Sequence, residues 1–93
     1  MTSASIARLQ GRWRQSQSVH GMFERTVKIK NIDTPVQLIL QLIPKQPRQV
    51  QWHCIAIAGS TLRGEGYAHR QAQAAYNAIT MMLGHMPAKE LQD

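Results

Sequence analysis

The stretch Arg12-Trp13-Arg14 places an indole ring between two guanidinium groups. An indole can stack on a nucleic-acid base while neighbouring arginines contact phosphates, so this spacing fits a nucleic-acid site. The same residues also fit a structural role, in which Trp13 anchors an N-terminal helix on a sheet and both arginines are solvated. The sequence leaves both interpretations open.

Positive charge is concentrated in the first third of the chain. The 93 residues carry 11 Lys and Arg against five Asp and Glu, a net charge of +6 with histidine neutral. Residues 1–30 contain six of these cations and a single carboxylate, Glu24. Such a segment binds phosphates with release of condensed counterions, although it can equally keep a small protein soluble. The nucleic-acid contacts that we predict from it are Arg8, Arg12, Trp13, Arg14, Lys28 and Lys30.

Residues that could hold a metal or act as catalysts show no productive spacing. The four histidines and Cys54 are scattered, and the neighbours His53 and Cys54 point to opposite faces of a predicted strand, whereas zinc needs convergent ligands. Asp33 and Glu65 have no carboxylate nearby in sequence for acid–base catalysis. Gly64-x-Gly66 lacks the further glycine of a dinucleotide fingerprint and is interpreted as a turn. We therefore predict no enzyme, catalytic residue, metal or cofactor.

The C-terminal half contains the clearest structural patterns. Val50 to Ala58 alternates and becomes apolar on both faces toward its end, which indicates a central strand. From Ala68 to Leu83, apolar residues recur at spacings of three and four, which predicts a helix. Gly84 fits the left-handed position after its last turn, and Pro87 prevents its continuation.

The N-terminal half is more ambiguous. Residues 3–17 predict a helix, but a strand from Arg12 to Val19 that turns at His20-Gly21 competes with it. Phe23–Asn31 predicts a second strand. Val36–Ile43 fits either a helix that starts at Pro35 or a β-branched strand, and we favour the strand because the run is short and bounded by turn residues.

Together these elements predict one α+β domain over residues 1–87, followed by a flexible tail over 88–93. Its order is α-β-β-β-α, with a three-stranded antiparallel sheet and two helices packed on one face. A single cysteine requires no oxidising compartment, and residues 1–18 lack the apolar run of a signal peptide. The run Val36–Ile43 is too short to span a bilayer, so we expect a cytoplasmic protein without a membrane partner.

Read in this order, the chain resembles the double-stranded-RNA-binding domain. That family opens its last helix with Gly-x-Gly-x-Ser-Lys-Lys-x-Ala-Lys, and residues 64–73, Gly-Glu-Gly-Tyr-Ala-His-Arg-Gln-Ala-Gln, align with it without a gap. The family's lysines contact phosphates across the major groove, and its first helix meets a minor groove. The resemblance covers residues 50–84 and implies that His69, Arg70 and Gln73 occupy the lysine positions. Only Arg70 keeps a permanent charge there, and the family's Gly-Pro-x-His loop is missing.

Charge and resemblance favour one function, with a second kept open. The first hypothesis is a small non-enzymatic protein that binds RNA or DNA phosphates through its basic N-terminal half and the start of its last helix, with His69 and Arg70 added to the contacts. The alternative is a protein-interaction module, a small bacterial regulator or inhibitor that binds an acidic partner or forms a homodimer without binding nucleic acid.

Overall fold

An antiparallel sheet forms the body of the protein. The computed structural model describes residues 9–11, 13–17, 19, 21–30, 32–43, 51–87 and 91–92. The strands follow one another in the order β1-β2-β3-β4-β5, and β6 also pairs with β2. Their bounds are β1 Arg14–Gln15, β2 Met22–Ile29, β3 Val36–Leu42, β4 Trp52–Ala58, β5 Leu62–Ala68 and β6 Leu91–Gln92, and the helix α1 spans Gln71–Leu83.

The predicted architecture of three strands and two helices is wrong. In the part of the chain that the structure describes, five consecutive antiparallel strands and one helix make the protein mostly β. The strands that the predicted architecture lacks are β1, which was the alternative to the N-terminal helix, and β5. Leu91–Gln92, which were predicted as flexible tail, form β6. The first part of the predicted N-terminal helix, residues 3–8, lies outside the described residues, as does the predicted reversal between β3 and β4.

The N-terminal segment forms a bend and a strand where a helix was predicted. Arg14 and Gln15 pair with Glu24 and Phe23 of β2, as the competing strand interpretation expects. The spacing of Leu9 and Trp13 suggested a helical stripe. In the structure the two residues lie in a bend, where the Trp13 indole donates a hydrogen bond to the Leu9 carbonyl at 3.0 Å. The predicted reversal at Gly21 is present, with φ of 81°.

Three of the predicted strands are present within two residues of their expected bounds. Burial alternates along β3, where Val36, Leu38 and Leu40 are buried and Gln37 and Gln41 are exposed. This period of two resolves the ambiguity of the segment in favour of a strand. In β4, Cys54, Ala56 and Ala58 are buried on one face, whereas Trp52 on that face and the residues on the other face are half-buried.

Strand β5 runs through the glycines that were interpreted as a turn. Gly64 pairs with Ala56 and Gly66 with Cys54, so both glycines are extended ladder residues. A Cβ on Gly64 would lie 2.3 Å from the Ala78 carbonyl oxygen, and one on Gly66 would lie 2.4 Å from the Ala78 nitrogen. The glycines are therefore required by the close approach of α1, and not by a turn.

Helix α1 covers one face of the sheet, which we call the helix face. This face carries the core, with Val27, Ile29, Val36, Leu38, Leu40, Cys54 and Ala56 from the strands, and Ala74, Ala75, Ala78, Ile79 and Met82 from α1. The opposite face, called the outer face, carries the alternate residues of each strand, among them Glu24, Lys28, Ile39, His53, Ile55, Ile57, Arg63, Glu65 and Tyr67.

The ends of α1 follow their local sequence. The helix ends at Gly84, whose φ is 82° and whose N–H donates to the Thr80 carbonyl at 2.9 Å, as predicted. It begins at Gln71, three residues later than expected, because Ala68 still pairs with Trp52 in the sheet.

The contact between α1 and β5 predicts a large effect of Gly66→Ala. The added methyl group would meet helix backbone, which cannot move aside like a flexible side chain, so we expect the free energy of unfolding to fall by about 3 kcal/mol. In a domain of this size that lowers Tm by roughly 10–20 °C. Thermal and urea unfolding measure both quantities.

The matched control is Glu65→Ala, between the two glycines but on the outer face. It removes an ion pair whose side chains are 64% and 40% exposed, so we expect a change within about 0.5 kcal/mol. Equal stabilities of the two variants would contradict the seating of α1 on β5.

Cys54 lies in the core beneath α1. Burial raises the pKa of its thiol from 9.0 to about 12, while a backbone hydrogen bond involving Ile39 lowers it to a smaller extent. The folded protein therefore keeps the thiol proton at pH values where the unfolded chain has lost it. A buried neutral thiol is a poor nucleophile, so Cys54 acts as a small core residue.

The raised pKa of Cys54 predicts a pH-dependent loss of stability. Because the unfolded chain releases this proton above pH 9, the free energy of unfolding should fall as pH rises from 9 toward 12. Urea unfolding at several pH values, compared with Cys54→Ala, isolates the contribution of the thiol from other groups that titrate there. Parallel pH profiles of the two proteins would refute a protonated, buried Cys54.

Candidate nucleic-acid interface

A groove lies where the N-terminal segment meets the start of α1. It has a volume of about 340 Å³ and is lined by Leu9, Gln10, Gly11, Trp13, Arg70, Gln71 and Ala72. The structure thus brings together two of the predicted contacts, Trp13 and Arg70, which are 57 positions apart in the sequence.

The start of α1 is open to an anion. Arg70 occupies the N-cap position in an extended conformation, with no side-chain hydrogen bond that caps the helix. The first turn contains no acidic residue, so the free N–H groups and the positive end of the helix dipole have no local counter-charge there. Arg70 itself is exposed, so its guanidinium group adds charge beside these donors.

The opposite wall of the groove is fixed to the core. Leu9 is 1% exposed, and its carbonyl accepts the hydrogen bond from the Trp13 indole. The Gly11 carbonyl accepts a hydrogen bond from the buried Arg25 guanidinium at 3.1 Å. Arg25 therefore contributes to structure, although the sequence counts it with the basic segment. The hydrogen bond to Leu9 holds the Trp13 ring in place beside the groove, where the ring remains partly exposed.

Further cations lie on the outer face of the sheet. Arg14 and Lys28 project there from β1 and β2, and Lys30 is exposed in the turn after β2. None of these three, nor Arg70, forms an ion pair with a described carboxylate. The ion pair that the described residues do contain joins Arg63 to Glu65 at 3.2 Å.

The predicted contacts do not form one continuous surface. Trp13 and Arg70 lie at the end of the helix layer, whereas Arg14 and Lys28 lie on the other side of the sheet. His69 is exposed immediately before α1. Arg8 and Arg12 lie outside the described residues, so their predicted role stays a prediction.

An aromatic pair on the outer face was missed by the sequence analysis. The rings of His53 and Tyr67 stack with centroids 4.4 Å apart and planes inclined by 13°. Tyr67 is 47% exposed, and the His53 Nε2 atom is buried without a hydrogen-bond partner in the described part of the chain. Recognition of β5 as a strand would have found the pair, because the two residues are direct cross-strand neighbours.

Among the described residues, no three His, Cys, Asp or Glu side chains lie close enough together to hold a metal ion. The same part of the chain has no helix that is both long and apolar enough to cross a membrane.

Comparisons with known proteins give no relative. The motif of residues 64–73 falls in the structure at the end of β5 and the start of α1, so His69 and Arg70 precede the helix and Gln73 lies in its first turn. The resemblance to the double-stranded-RNA-binding domain rests on that stretch alone. No model of a known protein family, no curated protein and no solved structure matches the chain.

Proposed function

We propose that the protein binds nucleic acid, with a phosphate at the start of α1 and a base or sugar against Trp13. The observation that carries the proposal is the groove lined by Trp13, by an exposed Arg70 that forms no ion pair with a described carboxylate, and by a helix N-terminus without a side-chain cap. This arrangement combines a cation, backbone donors and a π-surface within one depression.

Each part of the groove suits a different part of a nucleotide. Helix N-termini favour anions because their first N–H groups and the helix dipole both point toward the ligand. A guanidinium group can add two parallel hydrogen bonds to phosphate oxygens. Stacking of a base on an aromatic side chain contributes about 1–3 kcal/mol in single-stranded complexes. These contacts recognise the polymer and depend little on its sequence.

The cations of the outer face provide a second set of phosphate contacts. Arg14, Lys28 and Lys30 are exposed and have no carboxylate partner among the described residues. Because they lie across the sheet from the groove, they add affinity only where the nucleic acid passes around the sheet or where a second molecule binds. The expected location of this activity is the cytoplasm.

We expect Arg70→Gln to weaken binding and to reduce its salt dependence. Loss of one phosphate contact should lower the slope of log K against log salt by about 0.9 for a duplex and about 0.7 for a single strand. Fluorescence anisotropy with labelled duplex RNA, duplex DNA and single-stranded DNA across a salt series measures this slope. The preferred probe then distinguishes among the three ligands.

The matched control is Arg63→Gln, which removes the same formal charge from a residue that is already paired with Glu65 on the outer face. It should leave the slope nearly unchanged. If both variants bind the probes as tightly as the wild type, or if the wild type binds none of the probes at low salt, the proposal is wrong.

The role of the indole predicts a separate effect of Trp13→Leu. This change keeps an apolar side chain against the core but removes the flat ring, so binding to single-stranded DNA should weaken by about tenfold. Duplex binding should change less, because paired bases are not free to stack on the indole. Thermal unfolding of the variant shows whether the lost indole hydrogen bond has altered the fold, and Trp13→Phe should restore most of the affinity. An equal effect of Trp13→Leu on all probes, without rescue by phenylalanine, would contradict stacking.

A further inference from the structure

Strand β5 lies at one end of the sheet. Among the described residues it pairs with β4 on one side, and no strand pairs with its other edge. Along its other side runs a groove of about 600 Å³, lined by Glu65, Gly66 and Tyr67 of the strand and by Asn77, Thr80 and Met81 of α1. This groove lies at the far side of the sheet from β1, and it does not include the Trp13–Arg70 groove.

The backbone of β5 directs hydrogen-bonding groups into this groove. The Glu65 N–H donates to the Met81 sulfur at 3.3 Å, and the Tyr67 carbonyl accepts from the Asn77 amide at 3.2 Å. Both residues therefore turn their backbone polar groups away from β4, as alternate residues of an antiparallel edge strand do. By the same geometry, the Glu65 carbonyl and the Tyr67 N–H also point outward.

The partners that α1 offers to this edge are weak or replaceable. A thioether sulfur is a poor acceptor, so the Glu65 N–H gains little from Met81. Asn77 is held toward Tyr67 by a hydrogen bond from Gln73 at 2.8 Å. These side chains protect the edge in the free protein, and they are long enough to swing aside when a better hydrogen-bonding partner arrives.

We propose that this edge binds an extended, acidic peptide segment of a partner protein as an added antiparallel strand. The backbone of the peptide would pair with the outward-facing groups of Glu65 and Tyr67, in the mode known as β-augmentation. Its alternate side chains would lie beside Tyr67 on the outer face and beneath Thr80 and Met81 on the helix face. Tyr67 is 47% exposed and Met81 is 65% exposed, so both offer free apolar surface to these side chains.

Charge selects the peptide. Among the described residues the carboxylate of this edge, Glu65, is already paired with Arg63, whereas Arg70 has no partner. Arg70 follows Tyr67 by three residues, so it lies within about 10 Å of the C-terminal end of the groove. In an antiparallel arrangement that end receives the N-terminal part of the peptide. An acidic residue there would complement Arg70 and the net charge of +6.

A second copy of this chain fits the edge poorly. Antiparallel pairing of two β5 strands places both α1 helices on the same face, above strands only about 4.8 Å apart. Each helix rests directly on Gly64 and Gly66 of its own strand, and packed helices need about 8–10 Å between axes. Parallel pairing about a two-fold axis would set each N–H opposite an N–H. A peptide without a covering helix meets neither obstacle.

Selection from a displayed library of random nonapeptides tests the inference. We expect wild-type protein to enrich peptides with alternating apolar residues and an acidic residue near the N-terminus. The enriched peptides, made synthetically, should bind about tenfold more weakly to Tyr67→Ala or Met81→Ala.

Asn77→Ala should bind the same peptides about threefold to tenfold more tightly, because one competing hydrogen bond is lost. N-methylation of the peptide amides that face β5 should abolish binding, while methylation of the alternate amides should not.

Met86→Ala is the matched control, since Met86 is 69% exposed and lies outside the groove. It should leave peptide affinity unchanged. Failure to enrich any peptide family on wild type relative to Tyr67→Ala overturns the inference, as does binding that tolerates every N-methylation. Light scattering that shows a homodimer lost in Met81→Ala would assign the edge to a second copy instead. Nucleic-acid binding is measured separately with Trp13→Leu, because Trp13 lies outside this groove whereas Arg70 takes part in both proposals.

Discussion

The fold depends on a direct backbone contact between α1 and β5. Gly64 and Gly66 present bare Cα atoms to Ala74 and Ala78, and any side chain there would collide with the helix backbone. The helix consequently lies very low on this edge of the sheet. Its height sets where the first turn opens beside Trp13, and it allows Asn77 and Met81 to reach the outward backbone groups of β5. Both candidate sites therefore depend on the absence of a side chain at Gly64 and at Gly66.

The same contact explains how side-chain volume is distributed over the helix face. Beneath α1 the residues are small, namely Cys54, Ala56, Gly64, Gly66 and Ala68. Farther across the sheet they are large, with Val27, Val36, Leu38 and Leu40 fully buried. Protein interiors pack at nearly constant density. Where α1 lies close to the sheet, only small side chains fit beneath it, and the space above the other strands is filled by bulky side chains. The small core residues under α1 and the large ones beyond it therefore both follow from the position of the helix over one edge of the sheet.

The sequence predicted the elements whose patterns have a single physical cause. β2, β3 and β4 alternate because one face is buried, and α1 ends at a glycine that supplies the required left-handed conformation. β5 was missed because glycine commonly marks a turn. Here the glycines allow the close approach of α1, a tertiary contact that the local sequence does not reveal. β1 was predicted only as the alternative to a helix, because Leu9 and Trp13 have helical spacing although the hydrogen bond between them closes a bend. The nearness of Trp13 to Arg70 is likewise tertiary, so each residue was predicted but the groove was not.

Clustering of charge along the sequence does not become clustering in space, because neighbouring residues of a strand point to opposite faces. Arg14 therefore projects from the outer face while Trp13, one residue earlier, borders the groove of the helix layer. Arg25 turns inward and holds the Gly11 carbonyl, whereas Lys28, on the same strand, is exposed on the other side. The molecule is 22 Å across its shortest axis, about the width of a nucleic-acid duplex. Under the nucleic-acid function proposed above, a rigid duplex would neutralise one of these cation sets at a time, whereas a flexible single strand would pass from the groove around the sheet to the other. Within that proposal, the division of charge by the sheet favours a flexible nucleic acid over a duplex.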